Sequence, residues 1–410
     1  MNVLSVPSLG SPPGVALVCR APLETLPMHL HIPTPGDHYS PATGSAVITV
    51  IHAMACEHDA TGGRTRLLVS RGTRHDYEIG ECQEVEPTTP ARRWQKGIDL
   101  AFSRVGARRF FGESTYRHVL HAIAPDFDGC IFIHNAPEIV PAVRARATRS
   151  QVVLWMHNAV FQHYDRHEVE RIERSLDRIV CVSGAIARSV EDRLGRASSK
   201  TRIVHNGVDT RRFHPASERQ KPNSCVILFV GRVLPIKGVH LLVKAACQLA
   251  EEGLDFQLRV VGSSGFQADE PLTDYERRLR DLARPLGNRV TFRPFIDRHA
   301  VAGEYLRSTI FCAPSTWDEP FGLAVAEAMA CGLPVVTSCR GGIPEFAGSD
   351  VLYFTPPDVE DLAERLRLLI ASPTARKDLG IRARAAAQRL DWSHSYCSLM
   401  AALRTEAAAF

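Results

Sequence analysis

The strongest constraint in this sequence is an alternation. Short apolar runs rich in β-branched residues alternate with longer stretches of amphipathic helical period along most of the chain. Parallel strands need crossover connections, and a helix is the usual crossover, so the pattern predicts βαβ units and parallel sheets. In the first half strands are expected at 28–33 (MHLHIP), 65–70 (TRLLVS), 130–135 (CIFIHN), 151–158 (QVVLWMHN), 178–183 (RIVCVS) and 201–207 (TRIVHNG). Helices are expected there at 44–58, 92–122, 138–147, 166–175 and 184–194. In the second half strands are expected at 225–231, 256–262, 289–295, 308–315 and 333–338, with helices at 238–252, 273–284, 297–307, 322–332, 358–371 and from about 374 to 409.

A polar stretch carrying two prolines, 207–224, interrupts the alternation and reads as a linker. The chain has 410 residues, and at roughly 100–200 residues per domain two domains are the default. The expected organisation is an N-terminal extension (1–27), an acceptor-side domain (28–206), the linker (207–224), a nucleotide-sugar-binding domain (225–390) and a C-terminal helix (391–410) that packs back on the first domain. The fold class is α/β, two doubly wound domains facing across a cleft. Ligands of such sheets bind beyond the carboxyl ends of the strands, and every motif below falls at such an end.

Composition narrows the function classes. A net charge of +4 over the whole chain does not suit general nucleic-acid binding. None of the 11 cysteines forms a CxxC pair, and Cys181, Cys225 and Cys312 lie in apolar runs. Buried free thiols are expected, not structural zinc or a disulfide framework. No apolar run approaches the ~18 residues that would span a bilayer, and 1–26 lacks the charged start and sustained apolar core of a signal peptide. The expected location is the cytoplasm.

Three motifs of the second half carry chemistry. Phe229-Val230-Gly231-Arg232 ends a strand, and Pro235-Ile236-Lys237-Gly238 leads into the next helix. Two cations beside a helix N-terminus make an anion site, suited to a diphosphate on which charge develops as a glycosidic bond breaks. Standing alone, the pair would read as two solvated loop cations. Next, Asp318-Glu319-Pro320-Phe321-Gly322-Leu323 runs into a helix that carries Glu327. A carboxylate in a helix so rich in Ala and Met is costly unless paired, and a ribose diol offers two donors. Glu319 is placed to accept from sugar hydroxyls, while the free backbone N–H groups of Phe321, Gly322 and Leu323 face the donor. Either glutamate alone would also read as a charge at a helix N-terminus. Third, Ser338-Cys339-Arg340-Gly341-Gly342-Ile343-Pro344-Glu345 follows a strand and opens a helix, and its glycine pair allows close approach to a phosphate or sugar.

The order FVGR-x4-KG, then E-x7-E within EPFGLAVAEAMACGLPVV, then GGIPE resembles the family 4 retaining glycosyltransferases of GT-B fold. The segment 203–215 (IVHNGVDTRRFHP) resembles that family's interdomain junction, and the likeness is dense over about 200–390 and thinner over about 28–200. The resemblance implies two Rossmann-like domains and a nucleotide diphosphate sugar as donor, UDP- or GDP-linked, with no cofactor and no metal. It implies that Arg232 and Lys237 bind the diphosphate, that Glu327 holds the ribose hydroxyls, and that Glu319 contacts the transferred sugar together with the backbone of 321–323. The region 294–296 would flank the base. His157, at the end of its strand, resembles the family histidine that reaches donor sugar and phosphate across the cleft; His134, at the end of a neighbouring strand, competes for that role. The family's first helix usually opens on a Gly-Gly pair, and here Gly44-Ser45 stands in that place. Gly44 is expected at the donor, and Ser45 with His134 on the acceptor side. The catalytic set is His157, Glu319, Arg232 and Lys237.

Two further signals are weaker. Asp126-Phe127-Asp128 is a DxD triplet, but in a turn and of a motif type belonging to another fold, so a metal role is not expected. No GxGxxG follows the first strand, which disfavours a nicotinamide enzyme. Residues 92–117 interleave Arg92, Arg93, Lys96, Arg104, Arg108, Arg109 and Arg117 with Trp94, Phe102, Phe110 and Phe111. Such a basic, aromatic stretch reads either as a solvated face or as a peripheral contact with the inner face of the membrane. The expected activity is transfer of a sugar to a hydroxyl of a saccharide or lipid-linked acceptor with retention, in envelope polysaccharide or glycolipid synthesis. A sugar-nucleotide epimerase of the same shape and a non-catalytic nucleotide-sugar-binding module are the alternatives.

Overall fold

A computed structural model describes residues 26–87, 92–103, 109–217, 222, 224–266 and 269–404. The expected extension at 1–27 lies almost wholly outside them.

Two parallel sheets carry the chain. The first holds β1 (Met28–Ile32), β2 (Thr65–Ser70), β3 (Glu81–Val85), β4 (Gly129–His134), β5 (Gln151–Met156), β6 (Arg178–Cys181) and β7 (Thr201–Ile203) in the order β3-β2-β1-β4-β5-β6-β7. The second holds β8 (Val226–Val230), β9 (Gln257–Val261), β10 (Val290–Arg293), β11 (Ile310–Ala313), β12 (Val335–Ser338) and β13 (Leu352–Phe354) in the order β10-β9-β8-β11-β12-β13. The winding reverses between β1 and β4 in one sheet and between β8 and β11 in the other, which opens a crevice at each switch point. The central strands are covered on both faces: Ile131, Phe132, Val153, Leu154, Ile227 and Leu228 have no exposed surface. Each such aliphatic side chain stabilises the fold by about 1.5–3 kcal/mol, and this two-sided burial is why these strands read as unbroken apolar runs.

Two expectations need correction, the single helix over 92–122 and the number of strands. The stretch 92–122 is not one helix but three, Arg93–Ser103, Phe110–Ser114 and Arg117–Ala122. Asp99, 5% exposed, accepts from the N–H groups of Phe111 (3.0 Å) and Gly112 (2.7 Å), so a carboxylate of the first helix caps the next and turns the chain. The helical segments expected from about 374 are two helices, Pro373–Gln388 and Trp392–Leu403, separated at Asp391, which caps the second through Ser393 N. Strands β3 and β13 stand where none was expected. Both lie on sheet edges, where one-sided burial leaves polar sequences such as ECQEV.

The last helix, Trp392–Leu403, leaves the second sheet and packs on the first, against Ala46–Ala60 and β6. Tyr396 Oη lies 2.7 Å from His58 Nδ1, Gln151 Nε2 donates to Leu403 O (2.7 Å) and Arg178 Nε donates to Ala402 O (2.8 Å). At the crossing, Val208 pairs with Asp391 in a parallel bridge, and Val208 N donates to Leu390 O (2.7 Å). The two passages between the sheets therefore run side by side. No helix among the described residues is long and apolar enough to cross a membrane.

Candidate active site

Two adjoining cavities lie where the carboxyl ends of the sheets face each other. The larger, about 390 Å³, is lined by His157, Arg232, Lys237, Glu319, Gly322 and Leu323 among others. The smaller, about 230 Å³, lies between Gly44, Val261, Phe266, Phe295, Arg298 and Glu327. They share Gly44, Gly231, Arg232, Phe266 and Leu323, so they form one groove. Every residue of the expected catalytic and donor-binding sets borders it, as does Ser45; His134 does not, and the Gly341-Gly342 pair packs against the backbone of Glu319 and Pro320 instead of lining it.

At the anion end, Arg232 projects from the loop after β8 and has no carboxylate partner among the described residues. Its guanidinium sits 5.7 Å from the centre of the Phe266 ring. Lys237 differs: its Nζ lies 2.7 and 2.9 Å from the two oxygens of Glu319. Ser315 Oγ donates to the same carboxylate. Glu319 is thus a buried anion, 9% exposed, already matched by a cation and a hydroxyl, and Lys237 has one donor left for a phosphate. The helix Leu323–Ala330 starts at Gly322, whose φ of +98° only glycine adopts readily, with no side-chain cap. The first N–H groups of that helix have no intrahelical acceptor and border both cavities, which adds a positive dipole end to Arg232 and Lys237.

Glu327 is where the sequence reading needs amendment. Its carboxylate is buried, 4% exposed, and protein donors already meet it. Arg298 Nη2 lies 2.6 Å from Oε1, and Tyr305 Oη donates to Oε2 at 3.0 Å. The ribose diol is therefore not what offsets its burial; each oxygen has one further lone-pair direction to offer. Arg298 was not named from the sequence, where it looks like a solvated cation opening a helix. Asp297 caps that helix through Ala300 N (2.8 Å), and Arg298 N donates to Pro41 O (3.1 Å). The Pro-rich loop 33–43 of the first sheet is thereby tied to the Glu327 end of the groove. Phe266 and Phe295 stand edge to face with ring centres 6.3 Å apart, and a Cβ on Gly44 would come within 2.8 Å of Phe266. Glycine at this position lets the two halves close on the apolar end of the groove.

The first sheet supplies His157, whose burial pulls its pKa down to about 3, so the imidazole is neutral. His134 is corrected: it has no exposed surface and does not border the groove. Its Nδ1 lies 2.8 Å from His157 Nε2 and its Nε2 lies 2.9 Å from His31 Nδ1. Ser45 does border the groove, but its Oγ accepts from Ile48 N (3.4 Å) and caps the helix Ala46–Ala60. That cap gives a local reason for serine in place of the second glycine. Glu345, quoted above without a role, reaches across to the first half. It accepts from Gly184 N (2.6 Å) and Ala185 N (2.8 Å), and His205 Nε2 is 3.1 Å away. An anion from one sheet thus caps a helix of the other.

Arg109 leaves the basic stretch. Its Nε donates to buried Glu168 (2.9 Å), and its guanidinium lies 3.8 Å over the Tyr164 ring. Arg104 and Arg108 lie outside the described residues. No group of three or more His, Cys, Asp or Glu that could hold a metal ion occurs among the described residues, the DxD aspartates included.

Comparison with known proteins agrees with this architecture. Residues 210–386 match the family model described as glycosyl transferases group 1, and residues 47–212 match the model described as glycosyltransferase family 4. Spore coat protein SA of Bacillus subtilis (strain 168) is 32% identical over 269 residues, 61% of this chain and 71% of that protein. The D-inositol 3-phosphate glycosyltransferase of Kribbella flavida is 30% identical over 252 residues, 58% of each chain. The crystal structure of Anabaena HepE in complex with UDP and glucose superposes with a TM-score of 0.66 at 19% identity, covering 92% of this chain and 98% of that one. Two doubly wound sheets, a groove at their facing carboxyl ends and both family models together lead to one conclusion: the chain belongs to the family 4 glycosyltransferases and has the GT-B fold.

Proposed function

We propose that the protein transfers a sugar from a nucleoside diphosphate sugar to a hydroxyl acceptor with retention at the anomeric carbon. The observation that carries this reading is the order of chemistry along one groove. An apolar, phenylalanine-walled end suits a base, Glu327 a ribose, Arg232 and Lys237 a diphosphate, and Glu319 with His157 a sugar. UDP is the favoured nucleotide, because the structurally similar HepE is described with UDP and glucose. In the reaction the bond between the anomeric carbon and the diphosphate oxygen breaks. The negative charge gathering on the leaving diphosphate is met by Arg232, Lys237 and the N-terminus of the helix Leu323–Ala330. The acceptor hydroxyl attacks from the same face, and its proton passes to the departing phosphate oxygen. The protein needs no nucleophile of its own and contributes positioning and fixed charge.

Thermal shift with UDP, GDP, ADP and dTDP sugars tests the donor. A ligand at 100 times its dissociation constant should stabilise the protein by about 2.7 kcal/mol. Stabilisation by one nucleotide, followed by slow donor hydrolysis or transfer that survives EDTA, is the expected result. Binding without turnover would make the protein a nucleotide-sugar-binding module, and loss of activity in EDTA would refute metal independence.

The acceptor proposed is a saccharide or lipid-linked saccharide of the cell envelope, in keeping with the spore-coat name of one relative. Trp94, Leu100, Phe102 and Phe110 are exposed between 44% and 72% on two of the short helices of the first half, and Arg92 and Arg117 are exposed near them in sequence. These residues suit a peripheral contact with an anionic membrane. Flotation with anionic liposomes at low salt should carry the protein upward, and its absence from the floated fraction would remove the membrane part of the reading.

A further inference from the structure

Three histidines lie on a diagonal across three parallel strands of the first sheet. His31 of β1 is level with Phe132 of β4, and His134 stands two residues further along β4. His134 is level with Trp155 of β5, and His157 stands two residues further along that chain. Each step of two residues keeps the side chain on the same face of the sheet, so the imidazoles climb in line toward the groove. They are joined by hydrogen bonds of 2.9 Å (His31 Nδ1 to His134 Nε2) and 2.8 Å (His134 Nδ1 to His157 Nε2). The backbone is fixed at the groove end as well. Asn135, at a φ of +55° that asparagine tolerates, accepts on Oδ1 from His157 N at 2.8 Å.

Burial keeps all three rings neutral, so each carries one proton and the line has two possible polarities. If every proton points away from the groove, His31 Nε2 bears a hydrogen. That nitrogen is buried without a hydrogen-bond partner, and the Phe132 ring lies face to face with His31 at 4.7 Å and 15°, so it cannot accept an edge-on N–H. An orphaned buried N–H is among the rarest features of native structures. In the opposite polarity His31 Nε2 is a bare lone pair, and Nδ1–H of His31, His134 and His157 each point toward the groove. A bare lone pair on His157 would also repel the anionic oxygens of a diphosphate, whereas an N–H attracts them.

We infer that His31 and His134 are positioning residues that hold His157 in its Nδ1–H form, so that the groove meets a hydrogen-bond donor. The inference rests on the proposed function for what that donor meets, a sugar hydroxyl or a phosphate oxygen. The tautomer itself is a property of the free protein, set by the bond the other ring nitrogen makes.

The test is the ¹⁵N NMR of histidine-labelled free protein, with His157 assigned by the signal missing from His157→Gln. In the wild type His157 should show its proton on Nδ1. In His134→Phe, which keeps a flat ring between Trp155 and His31 but no hydrogen bonds, His157 should revert to the Nε2–H form. In that variant kcat should fall about tenfold or more. His134→Asn, whose amide N–H can stand where Nδ1–H stood, should restore the tautomer and most of kcat. A wild-type His157 carrying its proton on Nε2 would overturn the inference. So would a His134→Phe protein that melts normally and retains wild-type kcat. Failure of every nucleotide to bind would sink the functional proposal alone, because the NMR result in free protein still decides the tautomer.

Discussion

Glu327→Ala should be the most destabilising of the substitutions considered, at about 3–5 kcal/mol of folding free energy. The cause is what remains behind. Arg298 loses the carboxylate 2.6 Å from its guanidinium, and Tyr305, fully buried, is left with only the longer bond of its hydroxyl to Ala324 O (3.3 Å). Arg298 is then a half-buried cation without its partner, and such a charge costs more than the net worth of the pair. Urea denaturation measures the loss. Adding Arg298→Met should recover much of it, because two apolar substitutions remove the charge problem altogether. The same pair of variants separates packing from ligand binding. If the double variant regains stability but not UDP affinity, the lone pairs of Glu327 serve the ribose; if affinity returns with stability, Glu327 is a scaffold residue only.

Lys237→Met should reduce kcat/KM about 10²–10³-fold, the range seen when one fixed donor to a developing anion is removed. Two effects act together. The leaving diphosphate loses a cation, and Glu319 keeps its burial while losing the ammonium group 2.7 Å away. Lys237→Arg should recover only part of the loss, since a guanidinium fork cannot reproduce a compact three-donor ammonium wedged against Trp317, whose ring centre is 5.2 Å away. Steady-state donor hydrolysis is sufficient to read the change. A Lys237→Met enzyme within about threefold of wild type would mean that Arg232 and the helix N-terminus carry the anion without it.

How much of this was legible in the sequence depended on whether a feature is local. The central strands were readable because burial on two faces leaves continuous apolar runs, as in QVVLW of β5. The edge strand ECQEV was not, because what makes it a strand is its pairing with β2 through Arg66 to Ser70. Arg232, Lys237, Glu319 and Glu327 could be named because they stand in the motifs FVGR-x4-KG and E-x7-E that carry the family resemblance, although Lys237 and Glu319 meet across 82 residues. The sequence placed both His134 and His157 at strand ends and favoured His157, which is the one that borders the groove. That the two rings are hydrogen-bonded to each other needs the register of β4 against β5, a long-range fact. Arg298, the partner of Glu327, and Glu345, the cap across the cleft, were missed for the same reason: each finds its partner between 29 and 161 residues away in the chain.

The helix Trp392–Leu403 has a consequence for biogenesis. A ribosome releases the first sheet early, yet the surface formed by Ala46–Ala60 and β6 is not covered until residues 392–403 have emerged. His58 meanwhile waits for Tyr396, 338 positions downstream. The first half of the chain to be synthesised is therefore the last to be finished. Through most of translation it stands as an open apolar face, and a chain stopped just short of residue 392 would expose it permanently. Nascent chains of this protein should engage chaperones through their N-terminal half, long after that half has left the exit tunnel.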